Sequence, residues 1–310
     1  MLKICFVGLG SIGTRHLRNL HEILSARGED FSVDAMRSGD RPLEPSIAKL
    51  IGRQYGSFAA LPGGYDLAFI CNPTSLHYET IRAMSGKARH LFIEKPLFDR
   101  CDLPVHDIVP ESGRVFYVAA PLRYTGVIQY LKEHIAGQRV YAVRAICSSY
   151  LPDWRKTLYQ QSYSAHAALG GGVSIDLIHE WDYLEFLFGP PERVIQMKGT
   201  CSDLEIDSDD IALYIGRYPD KLVSLHLDYF GRSSRREVEV YLPEDVVVGD
   251  LIRHEIRWLR SGKTVAIQEE RDTYQKKELV HFLDIINGER ENDNGILSAY
   301  TTLRIAKGEF

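Results

Sequence analysis

No run in the 310-residue sequence approaches the roughly 18 to 20 consecutive apolar residues that a membrane-spanning helix needs, so no membrane partner is expected. The opening residues 1–7 pass directly into glycines, which is not the pattern of a secretory leader, and a cytoplasmic location is expected. Cysteine is scarce and unpatterned. Cys5, Cys71, Cys101, Cys147 and Cys201 are widely spaced, odd in number and contain no CxxC pair, so buried thiols in a reducing compartment are expected. Positive charge is not in excess either: 37 Lys and Arg against 42 Asp and Glu give a net charge of -5, with the basic residues scattered. That distribution offers no field for a phosphate backbone, and nucleic acid is not an expected partner. There is no internal repeat, low-complexity tract or acidic tail.

What is present is ordinary for a folded chain. The sequence is 45% apolar and 25% charged, which argues against long disorder, and its length exceeds what one core usually accommodates. Two domains are therefore expected.

The first of them opens legibly. Residues 2–7 are a short apolar run, Gly8-Leu9-Gly10-Ser11-Ile12-Gly13 follows at once, and residues 14–27 carry helical spacing through Leu17, Leu20 and Leu24. This is a strand, a glycine turn and a helix. Dinucleotide binding needs these glycines: Gly8 for the tight turn, Gly10 for backbone approach to the pyrophosphate, Gly13 for close helix-strand packing. The helix N-terminus, with Ser11 and Ile12, presents N–H groups to the anion.

Residues 31–36 form the next strand-like run, at whose end an NAD site would place a ribose-reading carboxylate. Arg37-Ser38 stands there instead, a pair suited to the 2′-phosphate of NADP, and NADP is preferred over NAD. Asp34 lies inside the run and becomes the ribose ligand only if the strand ends two residues earlier. Further strand-like runs at 66–71, 90–93 and 114–118 alternate with helix-length segments, which implies a parallel, doubly wound sheet. Ligands of such sheets sit at the carboxyl ends of strands, where this chain has Asn72-Pro73-Thr74-Ser75-Leu76-His77 and Glu94-Lys95-Pro96. Asn72, Pro73, Thr74, His77, Glu94 and Lys95 are accordingly expected to line the cofactor.

With the glycine turn, Asn72-Pro73-x-x-x-His77 and Glu94-Lys95-Pro96 in this order, the chain resembles the glucose-fructose oxidoreductase, inositol dehydrogenase and MocA family. Leu122-Arg123-Tyr124, at the start of a linking helix, and the glycine-rich helix of residues 169–183 with Asp176 and His179 extend the likeness. The resemblance implies a Rossmann domain over 1–120 and an α+β domain over 121–310, built on a large, mostly antiparallel open sheet. It implies a homodimer or homotetramer formed through that sheet, and a cis peptide between Lys95 and Pro96. The later sequence is compatible by itself. Residues 193–199, 211–217, 222–230, 236–242 and 264–269 read as strands, residues 272–286 as a helix ending at Asn287-Gly288, and Gly295 as the start of another.

The resemblance places Lys95 in the active site. Its position before proline favours an extended backbone that aims the side chain at the crevice, where it could stabilise charge on the substrate oxygen. Asp176 and His179, three apart on a helix, would share one face, and a carboxylate beside a histidine suits acid-base work. Many relatives space the pair by four, so either His179 or Lys95 could be the main proton carrier. No third ligand joins the pair, and no metal is expected. Arg123, Tyr124, Trp154, Arg155, Tyr163 and Ser164 are candidate substrate contacts, since aromatic faces and arginines suit sugars and phosphates. Residues 151–165 resemble the branch of the family found in bacterial surface-sugar biosynthesis.

The expected activity is hydride transfer between a nicotinamide and a secondary hydroxyl or keto carbon of a sugar, sugar nucleotide or polyol. Two other functions fit the same fold: a redox-neutral enzyme holding its cofactor tightly, such as an epimerase or glycosidase, or a silent NADP-binding regulator. Retention of Lys95, Asp176 and His179 speaks against the last.

Overall fold

Five short apolar runs of the first unit and the polar edge segment Arg53–Tyr55 become strands of one parallel sheet: β1 (Leu2–Val7), β2 (Phe31–Met36), β3 (Arg53–Tyr55), β4 (Tyr65–Ile70), β5 (Ala88–Ile93) and β6 (Phe116–Val118). The computed structural model describes residues 1–39 and 42–310. The sheet order is β3-β2-β1-β4-β5-β6, so the direction of winding reverses between β1 and β4. The crevice at such a reversal, outside the carboxyl ends of the strands, is where open α/β sheets take ligands.

A row of rings fixes the register. Phe6, Phe69, Phe92 and Tyr117 occupy paired positions on β1, β4, β5 and β6. Neighbouring centroids are 4.5, 5.1 and 5.6 Å apart, and such pairs are each worth about 0.5–1.5 kcal/mol beyond the area they bury. Helix α1 (Ser11–Ala26) turns Leu17, Leu20 and Leu24 into the same core. Helices α2 (Pro45–Ala48) and α3 (His77–Ser85) complete the crossovers.

The second unit is built on an eight-stranded sheet of order β14-β13-β12-β11-β7-β10-β9-β8. Its strands are β7 (Ala142–Tyr150), β8 (Arg193–Gly199), β9 (Ile211–Arg217), β10 (Leu222–Asp228), β11 (Phe230–Tyr241), β12 (Val246–Asp250), β13 (Glu255–Trp258) and β14 (Thr264–Ala266). Within this sheet, among the described residues, only β7 and β10 pair in parallel. Along β9, Ala212 and Tyr214 point into the core, while Leu213 and Ile215 stay exposed. The inner face is covered by α4 (Gly126–Ile135), α5 (Val173–Asp176) and α6 (His179–Phe188), through Val127, Leu131, Trp181 and Leu184. The last helices are α7 (Thr273–Ile286) and α8 (Ile296–Lys307).

Several expectations need correction. The units are Met1–Ala119 with Gln275–Tyr300, and Ala120–Tyr274 with Thr301–Phe310, so the second does not run unbroken over 121–310. The reason is Phe282 of α7, whose ring lies 5.4 to 6.1 Å from Phe69, Phe92 and Tyr117 and so closes the first core. Residues 122–124 do not open the linking helix. Pro121–Tyr124 is a 3-10 turn, and α4 begins after Thr125, whose Oγ1 accepts from the Ile128 amide at 3.4 Å. The run 222–230 is two strands parted at Tyr229, which turns into the core with no exposed surface. The stretch 169–183 is not one helix: Leu177, at φ -98° and ψ 28°, leaves helical geometry and separates α5 from α6. Among the described residues no helix is long and apolar enough to cross a membrane.

Candidate active site

In the first unit the candidate residues lie along the carboxyl edge of the parallel sheet, because the ladder continues one residue past each strand. The amides of Gly8, Cys71 and Glu94 donate to the carbonyls of Met36, Val7 and Ile70 at 2.8 to 3.0 Å. Gly8, Asn72 and Glu94 are thereby set side by side.

The three glycines differ in what holds them. Gly8 has φ +91°, and a Cβ there would come within 2.7 Å of the Asn72 amide nitrogen. A Cβ on Gly13 would lie 2.4 Å from the Gly8 carbonyl oxygen, so the helix could not seat on the strand. Gly10 is exposed, and a Cβ there would meet nothing within 4 Å. The chain's own packing accounts for Gly8 and Gly13, whereas Gly10 keeps open the approach a ligand needs. Thr14 makes the first helical bond, to the Gly10 carbonyl, and the first turn of α1 carries no acidic residue. The amides of Ser11, Ile12 and Gly13 thus precede the helical ladder and suit a pyrophosphate. The residues present fit a dinucleotide.

Arg37 follows β2 directly and donates to Gln54 Oε1 at 3.0 Å, beside exposed Ser38. Asp34 lies inside β2 and accepts the Tyr65 hydroxyl hydrogen at 2.8 Å. Burial and that bond hold the Tyr65 phenol well above its ordinary range. The strand boundary leaves Arg37, not Asp34, at the edge.

Asn72 and His77 brace the edge. Asn72 donates to Thr80 Oγ1 at 2.8 Å, and the His77 ring lies between the carbonyls of Leu97 and Asn72, at 3.1 and 3.0 Å. His77 is 1% exposed and burial holds its imidazole below the ordinary range, so the ring donates to one of these carbonyls at a time and presents no face to a ligand. Pro73 and half-buried Thr74 open the 3-10 turn Thr74–Leu76 between them. Lys95 follows β5, half-buried, and the peptide joining it to Pro96 is cis.

In the second unit a cluster of candidate residues centres on Asp176. Its Oδ2 accepts the Tyr229 hydroxyl hydrogen at 2.6 Å, and its charge reaches the Tyr163 phenol. Burial and the Asp176 charge push the Tyr229 phenol well above its ordinary range, so it remains a donor. The Trp154 ring meets Tyr229 edge-on at 5.2 Å, its Nε1 donating to Ser149 Oγ at 3.0 Å. The Arg155 guanidinium lies 5.1 Å over the Tyr163 ring, which is 45% exposed. The structure therefore gathers Asp176, Tyr163, Trp154 and Arg155 around Tyr229.

The glycines before α5 make this possible. A Cβ on Gly171 would collide with the Tyr163 carbonyl at 2.1 Å, and one on Gly172, at φ +123°, with the Asp209 carboxylate at 2.6 Å. Asp209 in turn accepts the Ser174 amide hydrogen at 2.9 Å, capping the short helix that carries Asp176. Neither Tyr229 nor Asp209 was legible as a site residue.

Other expected contacts are committed elsewhere. Arg123 is 3% exposed and grips Asp182 through Nε at 3.0 Å and a terminal nitrogen at 2.7 Å, while Tyr124 and Ser164 are buried. Arg123 thus braces α6 and is not presented to a substrate. His179 is half-buried at the start of α6, on the far side of the break from Asp176. Glu180 beside it is fully buried and accepts from Arg236 Nε at 2.5 Å, so α6 is anchored to β11. Among the described residues no group of three or more His, Cys, Asp or Glu side chains is placed to hold a metal.

Comparison with known proteins agrees with this architecture. Residues 2–108 match the Gfo/Idh/MocA oxidoreductase family with its NAD-binding Rossmann fold, and residues 128–248 match the C-terminal domain of that family. D-xylose 1-dehydrogenase (NADP(+)) 2 of Haloferax volcanii is 24% identical over 208 residues, 64% of this chain and 62% of that protein. The chain spans less than two thirds of the length of the curated relatives it matches, 62% and 56%. UDP-N-acetylglucosamine 3-dehydrogenase from Acidithiobacillus ferrooxidans has the same fold at a TM-score of 0.75 and 18% identity, over 99% of this chain and 96% of that one. So does the WlbA dehydrogenase from Chromobacterium violaceum, solved with NADH and UDP-GlcNAcA, at a TM-score of 0.79 and 16% identity, over 99% and 92%. Both halves of the chain being matched in order, it belongs to the Gfo/Idh/MocA family of oxidoreductases.

Proposed function

We propose that the protein is an NADP-dependent oxidoreductase acting on a secondary hydroxyl or keto carbon of a sugar, with a nucleotide sugar as the preferred substrate. The observation that carries the reading is the row at the sheet edge: a glycine turn open at Gly10, then Asn72, then Glu94 and Lys95, beside the reversal of strand order. A nicotinamide bound there supplies or accepts the hydride. Lys95 hydrogen-bonds the reacting oxygen and stabilises negative charge on it. Within the second unit, Asp176, held by the Tyr229 phenol, is the group suited to orienting a substrate, and His179 is the group available to move a proton.

Arg37 supports NADP, since it stands where a 2′-phosphate would be read while Asp34 is occupied by Tyr65. The Haloferax relative is named for NADP(+). For the substrate, Arg155 is exposed, stacked on Tyr163, and has no ion-pair partner among the described residues, which suits a phosphate group. Two proteins of the same fold are named for UDP-sugars or hold one. Following NADPH absorbance with UDP-N-acetylglucosamine and with D-xylose tests the reading. It expects kcat/KM for the nucleotide sugar to be at least about tenfold higher, a difference of about 1.4 kcal/mol. Turnover of D-xylose alone would reverse the assignment, and cofactor that co-purifies without exchanging would favour a redox-neutral reaction.

The uncovered face of the second sheet supports self-association. Ile195, Met197, Leu213 and Ile215 are 40 to 73% exposed on adjacent strands β8 and β9, a patch that suits a homodimer or homotetramer.

A further inference from the structure

Glu94 was expected to contact the cofactor, yet both of its carboxylate oxygens are held by the protein. His16 Nε2 of α1 lies 2.5 Å from Glu94 Oε1, with the two side chains 1% and 12% exposed. The other oxygen, Oε2, accepts the backbone N–H of Lys95 at 3.2 Å. His16 Nδ1 is buried without a hydrogen-bond partner. With Nδ1 unpartnered, the ring's hydrogen bond to Glu94 is donated from Nε2. The ring itself is fixed edge-on against Phe92, with centroids 5.0 Å apart.

The carboxylate is thus gripped from two sides. Although burial opposes ionisation, the hydrogen bond and charge of His16, and after them the charge of Lys95, hold the Glu94 carboxyl below the ordinary carboxylate range. His16 lies one and a half turns into α1, the helix that begins at Ser11 after the open glycine. A continuous path therefore runs from the glycine turn through His16 and Glu94 to Lys95.

We propose that His16 is a positioning residue which, by clamping Glu94, fixes the carboxylate that takes the Lys95 backbone N–H and so ties that lysine to the helix that receives the dinucleotide. Glu94 serves Lys95 in this arrangement and does not contact the cofactor. The inference rests on the role given to Lys95 above, but it is tested without substrate.

The full chain, labelled with ¹³C-lysine, is titrated by NMR, and the Lys95 resonance is identified by its loss in Lys95→Met. Glu94→Gln, nearly isosteric but uncharged, is expected to lower the Lys95 titration midpoint by about one pH unit, a tenfold change in proton affinity. His16→Ala, which lets the carboxylate swing away, is expected to lower it in the same direction. His16→Gln, whose side-chain amide can donate from the place of Nε2, is expected to restore it. NADPH affinity, followed by nicotinamide fluorescence, stays within about threefold throughout, as expected of groups that do not touch the cofactor. A midpoint unmoved by Glu94→Gln overturns the proposal, as does His16→Gln failing to restore it or NADPH affinity falling in step. Should His16→Ala not fold, Glu94→Gln and His16→Gln decide the matter alone. Normal turnover in Lys95→Met would remove Lys95 from the reaction while leaving the clamp to be judged by the titration.

Discussion

Tyr229 has no exposed surface, yet its hydroxyl hydrogen is directed at Asp176 Oδ2 from 2.6 Å. A phenol so placed cannot meet a substrate; it acts on the carboxylate. Tyr229→Phe keeps the ring against Trp154 and removes only the donor. Loss of such a bond to a charged group costs about 1.5–3 kcal/mol. Turnover is expected to fall about tenfold with NADPH affinity unchanged, read from steady-state kinetics beside a cofactor titration. Wild-type kcat/KM in this variant would mean that Asp176 does not depend on Tyr229.

The position of Arg37 makes the cofactor preference measurable. Removing a guanidinium that reads the 2′-phosphate weakens NADPH by the worth of a charge-assisted bond and leaves NADH largely alone. Arg37→Ala is expected to raise the Kd for NADPH at least about tenfold more than that for NADH. Equal weakening of both would show that Arg37 reads no phosphate.

Glu185 gives the stability a pH dependence. Burial pushes its carboxyl up to about 7, against the bond from Thr302 Oγ1 at 2.5 Å. The folded state therefore binds this proton more tightly than the unfolded chain, whose carboxyl has its ordinary value near 4.3. The stabilisation is complete below that ordinary value and is lost as pH rises through about 7. Between pH 5 and pH 8 the midpoint of thermal unfolding should fall by roughly a few degrees more in wild type than in Glu185→Gln. Parallel curves for the two proteins would place the titration elsewhere.

The sequence carries some of this architecture in local pattern and hides the rest in distance. Residues 2–13 are legible because strand, turn and helix are adjacent and each glycine answers a local demand. Strands β8 and β9 are legible from β-branched and aromatic residues between clear turns. β7 escapes because its inward side chains include the small Ala145 and Cys147, which weaken the alternation. The break at Leu177 is marked by neither glycine nor proline, so Asp176 and His179 read as one helical face. Arg123 looks like a substrate ligand because its partner, Asp182, lies 59 residues away. Tyr229 goes unnoticed for the same reason, its partner being 53 residues distant. The return of α7 to the first core depends on Phe282 meeting rings on β4, β5 and β6, which no local pattern announces.

In the proposed function Lys95 acts at the reacting oxygen while the glycine turn holds the cofactor. Measuring turnover and NADPH affinity together in Lys95→Ala tests it most directly. A loss of about 2 kcal/mol or more of transition-state stabilisation, roughly 30-fold in kcat/KM, with the NADPH Kd unchanged, is the predicted result. Undiminished turnover would contradict it.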